Sequence, residues 1–168
     1  VNGDGLPDIV KAEGSDRRAY LNNRAGWIKD PAWDMPDGDI SNGSTQFGDL
    51  NGDGLLDFYI VDGSSSRAYL NTNPGWERMH SYDIDLSSFS NESIQLVDIN
   101  SDGMADIVAA NGSTRKTYFN TCNTANAWVE KSEFSPPEGD FTNLSTKIAD
   151  IKGRAFADVL INQSSTQN

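Results

Sequence analysis

The residues best suited to chemistry are acidic and regularly placed. In Asp49-Leu50-Asn51-Gly52-Asp53-Gly54-Leu55-Leu56-Asp57, side-chain oxygens stand at positions 1, 3, 5 and 9, with glycine at position 6. Hard oxygen donors that converge repel one another unless a cation sits between them. An oxygen-only set suits Ca2+ rather than Zn2+, which prefers Cys and His. Gly54 permits the sharp turn that wraps a chain around an ion, and the Leu55 carbonyl is the natural fifth ligand. A second copy uses Asp98, Asn100, Asp102, the Met104 carbonyl and Asp106. A third uses Asn2, Asp4, the Leu6 carbonyl and Asp8, and lacks only the first Asp. A fourth frame, Asp150–Asp158, carries Lys152 and Arg154 where oxygens should stand, so their cations replace the metal and no ion is expected there. The EF-hand, which shares this kind of loop, needs Glu at position 12. Lys11, Ile60 and Ala109 stand there, followed by short apolar runs such as Phe58-Tyr59-Ile60-Val61 rather than amphipathic helices.

Other chemistry is poorly supplied. His80 is the only histidine and has no counterpart in the other repeats, so it reads as a surface residue and not a general base. No nucleophile elbow, phosphate loop or zinc-ligand cluster occurs, and no carboxylate pair stands out from the metal loops for glycoside hydrolysis. The expectation is a protein that is not an enzyme.

These loops belong to a repeat of about 50 residues. Tyr20, Tyr69 and Tyr118 are 49 and 49 apart; Trp27, Trp76 and Trp128 are 49 and 52 apart, as are Asp49, Asp98 and Asp150. Each Trp precedes the next loop Asp by 22 residues, so the three extra residues fall around Thr121–Ala127, as a loop insertion on a constant scaffold. Each unit reads as four short strands. The first precedes the metal loop (Thr45–Gly48, Ile94–Val97, Lys147–Ala149). The second is a nearly continuous apolar run (Ile9-Val10, Phe58–Val61, Ile107–Ala110, Val159–Ile161), the pattern of a strand buried on both faces. The third is Arg18–Leu21, Arg67–Leu70 or Arg115–Phe119, and the fourth begins at the Trp. No segment has a helical period. Four-stranded antiparallel units of this length are the mark of an all-β fold built from β-propeller blades. The repeated Tyr and Trp are expected to pack between blades. The units span about 1–43 (without a first strand), 44–92, 93–144 and 145–168 (partial). Three blades and part of a fourth fall short of the four to eight that close a ring, which predicts a segment of a larger propeller or an assembly of copies.

The formal net charge is −12, with 25 acidic against 13 basic residues, which argues against nucleic acid and anionic membrane surfaces. No apolar run is long enough to span a bilayer, so membrane insertion is not expected. Cys122 is the only cysteine, which leaves no internal disulfide.

The sequence resembles the FG-GAP/VCBS repeat family, the blades of integrin α-subunit propellers and of many surface proteins. The residues that carry the resemblance are the Asp49–Asp57 and Asp98–Asp106 loops, Tyr20-Leu21-Asn22 with Gly26-Trp27, Tyr69-Leu70-Asn71 with Gly75-Trp76, and Phe47-Gly48. No Gly-Ala-Pro element occurs, which makes the chain more VCBS-like than integrin-like. The resemblance implies Ca2+ at the three oxygen-rich loops, in a structural role away from the ligand face. It also implies an extracellular or cell-surface module for adhesion, recognition or assembly, whose partners are a protein or glycan ligand and further blades. The alternatives are a carbohydrate-binding propeller, for which Trp33 is the candidate residue as the one Trp outside the repeat phase, and the propeller appendage of a larger secreted enzyme or toxin. Five Asn-x-Ser acceptors (Asn42, Asn91, Asn111, Asn143 and Asn162) are possible N-glycosylation sites. Asn42, Asn91 and Asn143 each lie 7 residues before a loop Asp, which predicts that the acceptors gather at the end of the blades opposite the calcium loops. An Asn-Gly-Ser turn copied for its geometry gives the same phase.

Overall fold

The computed structural model describes residues 1–142, 146–149 and 158–161. The fold is all-β, and every sheet is an antiparallel meander. The first has three strands in the order β1 (Ile9–Glu13), β2 (Asp16–Asn22), β3 (Trp27–Lys29). The second runs β4 (Thr45–Gly48), β5 (Asp57–Asp62), β6 (Ser65–Asn71), β7 (Trp76–Met79), and the third β8 (Ile94–Val97), β9 (Asp106–Asn111), β10 (Thr114–Asn120), β11 (Trp128–Glu130). A fourth sheet pairs β12 (Thr146–Ala149) with β13 (Asp158–Ile161). The β4 and β8 bounds match the sequence reading, and the others differ by a few residues at their ends. These sheets are consistent with propeller blades.

The apolar second strands explain how the sheets stack. In β5, Phe58 and Ile60 pack with Ala12 and Met35 of the preceding unit, whereas Tyr59 and Val61 pack with Ile94, Ile107, Ala109 and Trp128 of the next. Successive side chains point to opposite faces, so continuous apolarity marks a strand covered on both sides. In β9, Ile107 and Ala109 face back, and Val108 and Ala110 join Phe141 on the other side. The expectation of two covered faces does not hold for β1. Val10 and Ala12 face β5, but Ile9 is 44 % exposed because no described unit lies against its other face.

The inner strands of neighbouring units also touch. The Gln46 side chain lies across β8, donating from Nε2 to the Ile94 carbonyl and accepting at Oε1 from the Leu96 amide at 2.8 Å. Further out, 3₁₀ turns at Pro31–Trp33, His80–Tyr82 and Ser132–Phe134 break the connections that read as irregular in the sequence. Trp33 corrects an expectation here. It lies in phase with Tyr82 and Phe134, 49 and then 52 residues apart, and is 2 % exposed, edge-on to Trp76. Its carbonyl accepts the Trp76 indole N–H at 3.2 Å, as the Tyr82 carbonyl accepts that of Trp128 at 2.8 Å. Trp33 is therefore an inter-blade packing residue and offers no exposed ring for a sugar.

Candidate metal centres

The Asp49 and Asp98 loops each join the first strand of a unit to the second, and the Asn2–Asp8 loop leads into β1. The Asp49 loop is ordered by its own carboxylates: Asp49 accepts from the Gly52 amide at 2.7 Å and the Gly54 amide at 2.8 Å. Asn51 Oδ1 accepts from the Asp53 amide at 3.0 Å, and Asp53 Oδ1 from the Leu55 amide at 2.8 Å. The Asp98 loop repeats the scheme. Asp98 accepts from Ser101 and Gly103, Asn100 from Asp102, and Asp102 from the Met104 amide at 2.9 Å. In the first loop Asn2 Oδ1 accepts from Asp4, and Asp4 Oδ1 from Leu6. Gly54 and Gly103 have φ of 80° and 90°, the left-handed backbone that the position-6 glycine was expected to supply.

The position-9 aspartates do a second job. Asp57 is fully buried; Oδ2 accepts the Leu50 amide at 2.7 Å and Oδ1 the Asn71 amide at 2.8 Å, tying the loop to β6. Asp106 makes the same pair with Ile99 and Asn120, and Asp8 with the Val1 amine and Asn22. Burial pushes the carboxyls of Asp57 and Asp106 up to about 6, with the Asp53 and Asp49, or Asp102 and Asp98, carboxylates adding to the rise.

Among the described residues, no three His, Cys, Asp or Glu side chains are gathered as a ready metal group, because the loop carboxylates turn to backbone amides. The donor set nevertheless fits a hard cation. A carboxylate oxygen that accepts one amide retains a second lone pair, and each intact loop offers three Asp, one Asn and a backbone carbonyl within nine residues. Lys152, Arg154, Asn143 and Asn162 lie outside the described residues. Asn42 precedes β4, Asn91 opens the 3₁₀ turn Asn91–Ser93, and Asn111 ends β9, so these three acceptors stand at the end of the sheets away from the loops.

Asn71 and Asn120 had no role in the sequence beyond a shared Tyr-x-Asn context, and the structure supplies one. Asn120 Nδ2 donates to the Leu50 carbonyl of the preceding unit's loop at 2.8 Å and to Ala105 of its own at 3.2 Å. Asn71 Nδ2 likewise reaches the Val1 and Leu56 carbonyls. The recurrence of Asn at the end of the third strand was the signal. Asn120→Ala is expected to cost about 1–3 kcal/mol in a urea melt, because it removes buried bonds to the Ala105 carbonyl and to the Leu50 carbonyl, the latter keeping only the Tyr82 hydroxyl. Asn22→Ala, at the half-buried equivalent site, is expected to cost clearly less.

A family model, the FG-GAP-like repeat, matches residues 1–60 and again residues 49–109. The chain belongs to the FG-GAP-like repeat family. Each match spans one oxygen-rich loop, the sheet that follows it and the next loop through its second strand. Such repeats are typically extracellular domains, and no described helix is long and apolar enough to cross a membrane. A search of curated proteins returned no significant match.

Proposed function

We propose that this array of FG-GAP repeats is a calcium-stabilised, non-enzymatic module for adhesion, recognition or assembly outside the cell. One observation carries the reading: successive loops hold the same oxygen donors in the same hydrogen-bonded turn, each tied through its position-9 Asp to the third strand of its unit. Asp49, Asn51, Asp53, Asp57 and the Leu55 carbonyl would hold one Ca2+. Asp98, Asn100, Asp102, Asp106 and the Met104 carbonyl would hold a second. Asn2, Asp4, Asp8 and the Leu6 carbonyl would hold a third. Ca2+ would supply charge neutralisation and rigidity to polar loops that apolar packing leaves outside the core. Glycans on Asn42, Asn91 and Asn111 would crowd the opposite end of the sheets, leaving the loop end and the rim for protein contacts.

Calorimetric titration of the chelated protein with Ca2+ tests this. Saturable calcium uptake is expected, with Asp53→Ala and Asp102→Ala each deleting one site. Absence of calcium uptake at millimolar concentration would remove the reading. Loss of the alternative sugar candidate follows from the burial of Trp33, so no second reading is favoured.

A further inference from the structure

We propose that Asn42–Gly43 is a self-modification site, whose conversion to isoaspartate loosens the entry to β4. The sequence contains four Asn-Gly pairs, at Asn2, Asn42, Asn51 and Asn111. Glycine after asparagine leaves the backbone nitrogen unshielded by a side chain, so in an unfolded chain the four pairs are alike. The fold sets them apart. Ring closure needs the glycine amide to give up its proton and its nitrogen to attack the Asn Cγ. A carboxylate that accepts the amide N–H holds the proton in place, and its charge opposes the anion that closure requires. The Gly52 amide donates to Asp49 at 2.7 Å, and the Gly112 amide to Asp140 at 3.0 Å. Asn2–Gly3 belongs to the first metal loop, where Ca2+ would hold the Asn oxygen. The Gly43 amide has no acceptor among the described residues, and both Asn42 and Gly43 are exposed.

The Asn42 carbonyl is also prepared for attack. The Ser44 amide donates to Asn42 Oδ1 at 2.9 Å. Negative charge that grows on this oxygen as nitrogen approaches Cγ therefore meets an N–H already in place. At Asn111 the side chain is turned instead to the Ser88 carbonyl, to which Nδ2 donates at 3.4 Å. In the reaction the Gly43 N–Cγ bond forms and the Cγ–Nδ2 bond breaks. Nδ2 leaves as ammonia, carrying its own two hydrogens and the proton given up by the Gly43 amide. One water then opens the succinimide ring. Attack of that water at the Asn42 main-chain carbonyl leaves isoaspartate, in which the main chain runs through Cβ and Cγ and is one atom longer. Attack at Cγ leaves aspartate. Water is the only co-reactant, and nothing is oxidised or reduced.

The place of the pair gives the change its effect. Ser44 pins the start of β4: its carbonyl accepts the Val61 amide at 2.7 Å, and its hydroxyl donates to the Asp39 carbonyl at 3.1 Å. An extra main-chain atom just ahead of Ser44 displaces both bonds. The new carboxylate also enters a cavity of about 190 Å³ between the first two units, where Asn42 stands with Arg17, Asp39, Asp62 and Arg67. Asn42 Nδ2 is the atom that a glycan would take, so glycosylation and this conversion compete for one nitrogen.

The test ages the full chain in mildly alkaline buffer. The protein is made in a host that attaches no N-glycans and is kept with chelator, so that no bound ion protects Asn51. Peptide mapping with electron-transfer fragmentation separates isoaspartate from aspartate at each pair. In urea, Asn42, Asn51 and Asn111 are expected to convert at similar rates. In the folded protein Asn42 is expected to lead the other two by about tenfold or more, since they must first give up a charge-assisted bond. Hydrogen exchange is expected to be faster at the Val61 amide in the isoaspartate fraction. Asn42→Asp, which adds the charge without the extra atom, is expected to leave that amide protected. A folded-state rate at Asn42 no higher than at Asn51 and Asn111 overturns the proposal. So does aspartate without isoaspartate, the mark of direct hydrolysis. Unchanged Val61 exchange in the isoaspartate fraction overturns the link to β4. None of these readouts depends on calcium binding.

Discussion

Chelating calcium is expected to lower the melting temperature by about 10–20 °C. A site held at a hundredfold over its dissociation constant stabilises the native state by about 2.7 kcal/mol. Two such sites, at Asp49–Asp57 and Asp98–Asp106, contribute about twice that, and each kcal/mol moves the midpoint by about 2–4 °C in a protein of this size. Scanning calorimetry with and without chelator reads the difference, and a shift below about 3 °C would contradict a stabilising role for the ion. The pH dependence should also change sign. In the chelated protein, Asp57 and Asp106 have folded pKa values near 6, above the ordinary value of 3.8. The folded state therefore binds protons more tightly, and these groups add stability as the pH falls from 6 towards 4. In the calcium-loaded protein protons compete with the ion, so acid should destabilise across the same window.

Trp128→Ala is expected to cost about 3–5 kcal/mol, whereas Trp27→Ala should stay within about 0.5 kcal/mol. The two residues occupy the same position of the repeat. Trp128 is 3 % exposed, stands edge-on to both Tyr59 and Tyr82, and places its indole N–H on the Tyr82 carbonyl. Trp27 is 51 % exposed, with no described unit packed against its ring. Urea unfolding of the two variants reads the contrast directly. Equal losses would mean that Trp128 stabilises only its own sheet and not the junction between units.

Much of this architecture was legible because the repeat supplied several readings of each position. Phe58-Tyr59-Ile60-Val61 announced a strand covered on both faces, and the structure shows its alternate residues serving two different cores. Single positions misled where the phase was judged from residue identity. Trp33 looked unmatched because its partners in register are Tyr82 and Phe134, so an aromatic position was read as a lone Trp. The 3₁₀ turns were missed because three-residue elements leave no period to detect. The bridging by Gln46 and the reach of Asn120 to Leu50 were invisible for a different reason. Both link units about 50 or 70 residues apart, and a sequence shows that a residue recurs without showing which neighbour it bonds.

Every strand pairing in the described sheets joins segments adjacent in sequence, and neighbouring units meet through side chains, side-chain amide bridges and isolated backbone bonds such as Ala105 N–H to the Asp49 carbonyl and Ala127 N–H to the Ser81 carbonyl. Stability in such a chain is a sum over units and junctions, an Ising-like chain rather than a single cooperative block. Local pairing also keeps the contact order low, which favours rapid hairpin-by-hairpin folding. Duplication or loss of a whole unit rewires no sheet. An array of this design can change length during evolution by slippage of the gene, each new unit arriving with its own loop and needing only an acceptable junction on either side.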